Sequence, residues 1–283
     1  MIGRSAGAVH VNLDQAWAGT ATPLPQINVT SWGPRLRFTT PTREVEAFFG
    51  AIEPRLASFV LYGSGDFHHL TALWLRRFTQ PLTLVAFDNH PDWDRRPPLW
   101  ACGGWINRAL ELPQVERAAI WGCGNFECWW PHQIFGNRKA EREGKLEVHP
   151  WADERAENAR ERRGAMLRTN WHEHFQHFAR KLNGENVYIT IDLDCLAPGL
   201  AWTNWENGRF SYENVCWALQ TLREYARIVG GDLCGAYSEP RFARRKQRFA
   251  AEWDHPKIAL PPAETLRSVN EAALHALWPA LTQ

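Results

Sequence analysis

The sequence predicts an α/β protein of three layers, α/β/α, with a mainly parallel central sheet. Three observations lead there. Short apolar, β-branched runs alternate with segments of helical period along most of the chain. Strands joined through helices run parallel, and such a sheet needs a helix layer on each face because it is apolar on both. Two aspartate-rich motifs follow directly on such runs, and open α/β sheets build their sites at those strand ends. No repeat or Gly/Ser linker divides the chain, so its 283 residues read as one domain, 1–283.

In chain order, Ala8-Val9-His10-Val11-Asn12-Leu13 alternates apolar and polar residues as a strand does. Residues 44–56 carry a helical pattern, with Val45, Phe48, Phe49 and Ile52 spaced three and four apart. Ser58-Phe59-Val60-Leu61-Tyr62 is a second strand, followed across Gly63-Ser64-Gly65 by a helix over 69–78. Leu82-Thr83-Leu84-Val85-Ala86-Phe87 is a third strand, ending at Asp88, with a helix over 105–112 behind it. Residues 118–122 form a fourth strand and 146–148 a fifth. An amphipathic helix over 170–182 precedes the strand Val187-Tyr188-Ile189-Thr190-Ile191, which ends at Asp192. A helix over 212–226, a strand over 228–234 and a helix over 263–281 complete the order. The charged stretch 138–163 reads as a surface insertion with a solvated face.

Composition narrows the function classes. A net charge of +1 offers no long-range field toward nucleic acid or an anionic membrane. There is no apolar run of the roughly 18 residues a membrane span requires. Residues 1–7 lack the hydrophobic stretch of a secretory signal, so a soluble, cytoplasmic protein is expected. None of the six cysteines, Cys102, Cys123, Cys128, Cys195, Cys216 and Cys234, is in a Cys-x-x-Cys pair, so buried, reduced thiols are expected. Sixteen tryptophans suit either a large core or an aromatic-lined pocket.

The chemistry lies in Asp88-Asn89-His90-Pro91-Asp92 and Asp192-Leu193-Asp194. Alternate residues of an extended loop face one side, so Asp88, His90 and Asp92 can reach one cavity. Asp and Pro also favour turns, and Asp caps helices, so each motif alone has a plain structural account. Together they differ. Four carboxylates and an imidazole gathered at one sheet edge repel one another and are costly to desolvate unless cations neutralise them. The spacing therefore points to a site for two divalent ions, and the excess of carboxylate favours a hard ion such as manganese. A third element, Gly63-Ser64-Gly65-Asp66-Phe67-His68-His69, follows the second strand; its glycines allow close backbone approach, and His68 or His69 can supply a further ligand.

A Gly-rich turn with histidine, then Asp-x-His-x-Asp, then Asp-x-Asp resembles the arginase and agmatinase (ureohydrolase) family over roughly residues 58–240. The resemblance implies an arginase-like α/β/α fold holding two Mn2+ that bridge a hydroxide, which attacks a guanidinium carbon. It implies that one ion takes His68, Asp88, Asp92 and Asp192, and the other His90, Asp88, Asp192 and Asp194. It also implies a small-molecule substrate and a homo-oligomer. The chain departs from the pattern at three places. The family's proton-shuttling His-Gly pair falls on Cys102-Gly103. Its Asp-x-x-Glu falls on Asp232-Leu233-Cys234-Gly235, leaving Glu239 as a nearby replacement for the glutamate that pairs with the guanidinium. The distal aspartate of its second metal motif falls on Ala197.

The expectation is therefore a divergent, dinuclear-metal hydrolase of a C–N bond in a guanidino, amidino or amide compound, with Cys102 and Glu239 as catalytic candidates. Two rivals stand beside it: a non-catalytic, metal-binding descendant of the fold, and a metal-dependent phosphoryl hydrolase. The second leaves Asp88 and His68 without a role. Trp171-His172-Glu173-His174-Phe175-Gln176-His177 is not His-Glu-x-x-His, and its histidines read as a polar helix face. Arg241, Arg244, Arg245 and Lys246 read as a solvated basic turn, and the loop 202–209 as a pocket rim whose tryptophans can stack on a planar or cationic group.

Overall fold

The structure, a computed structural model, describes residues 7–20, 23–96 and 99–283. Of the N-terminal stretch read for a secretory signal, residues 1–6 lie outside the described ones. The strands are β1 (Ala8–Asn12), β2 (Gln26–Asn28), β3 (Thr39–Thr40), β4 (Phe59–Leu61), β5 (Leu82–Phe87), β6 (Trp100–Ala101), β7 (Val115–Cys123), β8 (Leu146–Pro150), β9 (Asn186–Asp192) and β10 (Arg227–Cys234). Eight of them form one sheet in the order β2-β1-β4-β10-β9-β5-β7-β8, and β3 pairs with β6 separately. Every pairing in the large sheet is parallel.

Successive strand residues point to opposite faces, and the apolar side chains sort accordingly into two cores. Leu82, Leu84, Ala86, Ala118 and Ile120 pack in one, with Val45 and Phe48 of the helix Thr42–Ile52 and Trp105 and Ile106 of the helix Trp105–Leu110. Val85, Phe87, Ala119, Trp121, Val187 and Ile189 pack in the other, under the helices Trp171–Lys181, Tyr212–Tyr225 and Ala263–Thr282. Two cores on one sheet make the three expected layers. Burying an aliphatic or aromatic side chain is worth about 1.5–3 kcal/mol, so the mostly apolar runs of β5 and β9 belong at the centre, and they lie there.

The structure differs from the expected order in a few elements. The helix expected over 69–78 is three short pieces, a 3₁₀ turn Gly65–Leu70, an α turn Thr71–Trp74 and a second 3₁₀ turn Leu75–Arg77. The tighter 3₁₀ winding lets the chain coil directly out of the Gly63–Gly65 turn. The basic turn is in part a helix, Arg245–Asp254, whose buried residues are only Gln247 and Ala251, so no apolar stripe announces it. The stretch 138–163 is not set apart from the sheet: its middle is the edge strand β8, and charges concentrate in the flanking helices Arg138–Arg142 and Glu157–Arg160. All six cysteines are unpaired and five are buried. No helix among the described residues is long and apolar enough to cross a membrane.

One feature of the order positions the site. The strands β4 and β5 are separated in space by β10 and β9, so the chain winds away in opposite directions from the middle of the sheet. A crevice opens at the carboxyl ends of strands where order reverses in this way.

Candidate metal centre

Four segments meet in that crevice. The residues after β5 bring Asp88, His90 and Asp92; the end of β9 and the 3₁₀ turn Leu193–Cys195 bring Asp192 and Asp194; the 3₁₀ turn after β4 brings His68. The fourth, the end of β10, lies beneath Asp192. All six side chains are buried.

Backbone N–H groups decide how the carboxylates point. The His90 N–H donates to Asp88 Oδ1 (2.7 Å), the Asp194 N–H to Asp192 Oδ1 (3.0 Å) and the Asn89 N–H to Asp194 Oδ1 (3.0 Å). With one oxygen tied, the other turns inward. His68 Nδ1 lies 3.0 Å from Asp88 Oδ2, 3.4 Å from Asp92 Oδ2 and 3.5 Å from Asp192 Oδ2. His90 Nδ1 lies 2.8 Å from Asp194 Oδ2 and 3.6 Å from Asp88 Oδ1. Trp105 Nε1 donates to Asp92 Oδ2 (2.6 Å), and Asp92 holds a left-handed backbone (φ 44°) that re-aims it after Pro91. His68, Asp88 and Asp92 are close enough to hold one cation, and Asp88, His90 and Asp194 another.

The chemistry of the donors fits such ions. The far ring nitrogen of His68 is 2.8 Å from Thr190 Oγ1, whose hydroxyl donates to Asp232 Oδ1 (2.5 Å) while Tyr188 OH donates to Asp232 Oδ2 (2.7 Å). Thr190 has one proton and gives it to Asp232, so it accepts from His68 Nε2–H. That fixes Nδ1 as the nitrogen with a free lone pair. Nδ1 is buried with no hydrogen-bond partner, ringed by carboxylate oxygens. Burial, and then neighbouring carboxylates, push Asp192 up to about 8, Asp92 to about 7 and Asp194 to about 6. Burial disfavours the charged form of His68 and His90, but the aspartates around them raise both imidazoles well above their ordinary range. The cluster without cations holds protons instead. It is a site strained by like charge, of the kind that bound cations would relieve.

Glycines make room for the arrangement. A Cβ at Gly65 would stand 2.8 Å from Asp192 Oδ2, and one at Gly235 (φ +103°) would collide with Asp192 Oδ1. The glutamate absent from position 235 could not fit against this carboxylate. Cys234 Sγ lies 3.4 Å from Asp192 Oδ2 on the same floor.

Above the aspartates is a cavity of about 60 Å³, lined by Asp88, His90, Asp92, Asp192 and Asp194 and by Cys102, Trp205, Glu206, Glu127 and Asp254. Cys102 is thus at the cavity, where burial pushes its thiol well above the ordinary range. Glu239 does not line it; it borders two other cavities, where Tyr237 OH donates to its carboxylate (3.4 Å). His69 is buried but is not among the grouped donors, so of the adjacent histidines it is His68 that faces the carboxylates. His174 and His177 are exposed on their helix.

Three acidic residues at this cavity are absent from the sequence reading. Glu206 Oε2 is 3.4 Å from His90 Nε2 and belongs to the loop expected to form the rim. Glu127 follows β7, and a scan of every strand end would have found it. Burial pushes its carboxyl up to about 7. Asp254 ends the helix Arg245–Asp254, which left no signal.

No family model matches the sequence. An uncharacterized protein of Thermotoga maritima is 29% identical over 186 residues, 65% of this chain; the match spans 60% of that relative's length. Among solved structures, proclavaminate amidino hydrolase from Streptomyces clavuligerus superposes with a TM-score of 0.57 at 12% identity, covering 99% of this chain and 91% of the other. An arginase-like protein of T. brucei, a triple mutant bound with Mn2+, gives 0.52 at 14% identity, covering 97% and 92%. The fold is that of the arginase/agmatinase (ureohydrolase) family.

Proposed function

We propose that this chain is a dinuclear-metal hydrolase that cleaves a C–N bond in a guanidino or amidino compound, with manganese as its ion. The observation that carries this reading is the pair of buried imidazoles whose Nδ1 atoms face four aspartates between them, His68 toward Asp88, Asp92 and Asp192 and His90 toward Asp88 and Asp194. His68, Asp88, Asp92 and Asp192 would hold one ion; His90, Asp88, Asp192 and Asp194 would hold the other. Oxygen-rich donors with one imidazole per ion suit manganese, and the T. brucei neighbour was solved with it. Bound there, two divalent ions supply an acidified water as nucleophile and positive charge opposite the anion that develops in the attack.

The chain's own residues supply the rest. Asp88 faces both imidazoles, and Asp192 faces His68 with Oδ2 while its Oδ1 accepts the Asp194 N–H; in this reading both would be shared between the ions. Glu127, Glu206 and Asp254 surround the opening with negative charge, which suits a cationic head group and favours guanidino or amidino compounds over neutral amides. Trp205, stacked against Phe38 and edge-on to His90 and His255, walls the site and keeps bulk water out. Cys102 takes the place of the family's shuttle histidine, but a thiol held neutral by burial moves no proton near pH 7. Glu127, raised to about 7, is better matched to carry one.

The Cys102 environment also favours a second reading, a metal-binding protein without turnover. Metal content and urea or ammonia release, measured on manganese-loaded protein with a panel of guanidines and amidines, separate the two. Close to two ions per chain and turnover, both lost in Asp192→Asn while the circular dichroism is kept, is the expected result. Two ions without turnover on any compound selects the second reading; no bound metal in the wild type sinks both.

A further inference from the structure

The cavity over the aspartates adjoins a second, wider one. Cys102, Gly103, Phe126, Glu127 and Asp254 line it and also line this larger neighbour of about 950 Å³, so they form the boundary the two share. A Cβ on Gly103, at the shared wall, would meet nothing within 4 Å, which marks open space at the junction. The large cavity is mainly apolar. Its wall carries Phe126, Phe135, Phe249 and Trp253, which are 53%, 39%, 69% and 84% exposed, together with Leu99 at 43%. So many large apolar side chains held at one opening are costly to leave in water and mark a binding surface. A volume at the upper end of the range for small-molecule pockets far exceeds what a small polar amino acid fills.

Charge is arranged along the path. Glu127 stands at the junction of the two cavities; among the described residues its carboxylate accepts no hydrogen bond and forms no ion pair. A half-buried carboxylate without a counter-charge is unfavourable, and a ligand cation placed there relieves it. Of the Lys and Arg side chains lining the large cavity, Lys246 alone lacks an ion-pair or hydrogen-bond partner among the described residues, so a single ammonium and no cluster faces it. Arg96 is already engaged, stacked on Phe135 at 3.5 Å and paired with Asp94 at 3.1 Å. Arg244 donates to the carbonyls of Arg35 and Thr39.

We infer that the substrate is an amphipathic cation, a guanidine or amidine whose head meets Glu127 above the aspartates and whose body is an apolar group of aryl size lying in the antechamber formed by Phe126, Phe135, Phe249 and Trp253. This rests on the proposed hydrolase reading and names its substrate class. Water adds to the central carbon of the head group, the C–N bond to the apolar body breaks, and the amine that leaves takes up the proton. For a guanidine the products are urea and an arylalkylamine.

The test uses the full chain loaded with manganese. Urea release is compared for phenethylguanidine, methylguanidine and arginine, and phenethylguanidine binding is followed separately by calorimetry. The wild type is expected to favour phenethylguanidine over methylguanidine at least tenfold in kcat/KM. In the double variant Phe249→Ala/Trp253→Ala, whose side chains are too exposed to carry the fold, that ratio is expected to fall about tenfold, with metal content unchanged. Glu127→Gln is expected to weaken phenethylguanidine binding about tenfold. A preference for arginine or methylguanidine, or a ratio the double variant leaves alone, overturns the inference while the hydrolase reading stands. Binding of phenethylguanidine that the double variant weakens, with no urea from any guanidine, supports the antechamber and sinks the hydrolase reading. No binding overturns the inference outright. A change in sedimentation from oligomer to monomer in the double variant, with binding unaltered, assigns the aromatic wall to self-association and also overturns it.

Discussion

At the scale of single residues, the site is held by hydrogen bonds that leave one atom of each donor free. Thr190 illustrates the point, because its hydroxyl accepts from His68 Nε2 and donates to Asp232. Thr190→Val keeps the shape and removes both bonds. Groups that orient a metal-bound imidazole typically contribute about 10–100-fold to metal affinity, so a manganese titration of that variant should show a loss in this range with the circular dichroism retained. Gly235 makes the complementary prediction. Alanine there meets Asp192 and also takes on a left-handed backbone, so Gly235→Ala should bind less than the full complement of metal; a variant that binds two ions normally would refute this account of the missing glutamate. The clustered aspartates and His90 were legible in the sequence because they follow apolar strands. The choice of His68 over His69 was not, since neighbouring residues in a 3₁₀ turn differ only in direction.

At the scale of elements, Arg37 ties four segments together beneath the site. Its guanidinium donates to Asp66 Oδ2 (2.6 Å), Ser64 Oγ (3.1 Å) and Ser238 Oγ (2.9 Å), and Asp66 also meets His255 Nε2 at 2.6 Å. Both members of the Arg37–Asp66 pair are buried. Removing one partner leaves the other as an uncompensated charge, at a cost of about 3–5 kcal/mol. Arg37→Ala should therefore shift the urea midpoint well down. The network also sets an acid limit. Burial raises the Asp66 carboxyl, but Arg37 and His255 outweigh it and hold the group at about 2, below its unfolded value of 3.8. A depressed carboxylate contributes stability that is present above the unfolded pKa and lost as pH falls through the folded one. Denaturant midpoints should therefore drop between about pH 4 and pH 2 in the wild type, and this step should shrink in Asp66→Asn. None of these partners could be paired from sequence, because the Arg37–Ser238 contact spans 201 positions. The helix Arg245–Asp254 was missed for a related reason: it rests on Gln247, whose amide donates to the Arg37 carbonyl (2.5 Å), and not on an apolar stripe.

At the scale of the molecule, folding gathers four aspartates that repel one another, a cost that bound metal would relieve. Without ions, Asp92, Asp192 and Asp194 have folded pKa values above their unfolded 3.8. A raised group contributes stability that is present below the unfolded pKa and is lost as pH rises through the folded value, here between about 4 and 8. The metal-free protein should accordingly melt lower at pH 8 than at pH 5.5. Manganese competes with the same protons, so its affinity and the thermal shift it causes should both be larger at pH 8. Differential scanning with EDTA or manganese at the two pH values checks the sign, and a larger manganese shift at pH 5.5 would show that these aspartates are not the ligands.

By itself the sequence determined the layers and the sheet edge that carries the candidate site. Mostly apolar runs such as Val187–Ile191 are best buried in the middle of a parallel sheet, and polar residues directly after them emerge at its carboxyl edge. These are local consequences of periodicity and chain direction. The tertiary structure alone decided which strands became neighbours, and so which strand ends share a crevice. It placed Glu127 and Asp254 at the cavity over the aspartates and left Glu239 outside it. It also set beside that cavity a larger, aromatic one whose residues come from distant segments, Phe38, Phe126 and Trp253 among them. Proximity between residues far apart in the chain depends on how the layers pack, and no local pattern encodes that.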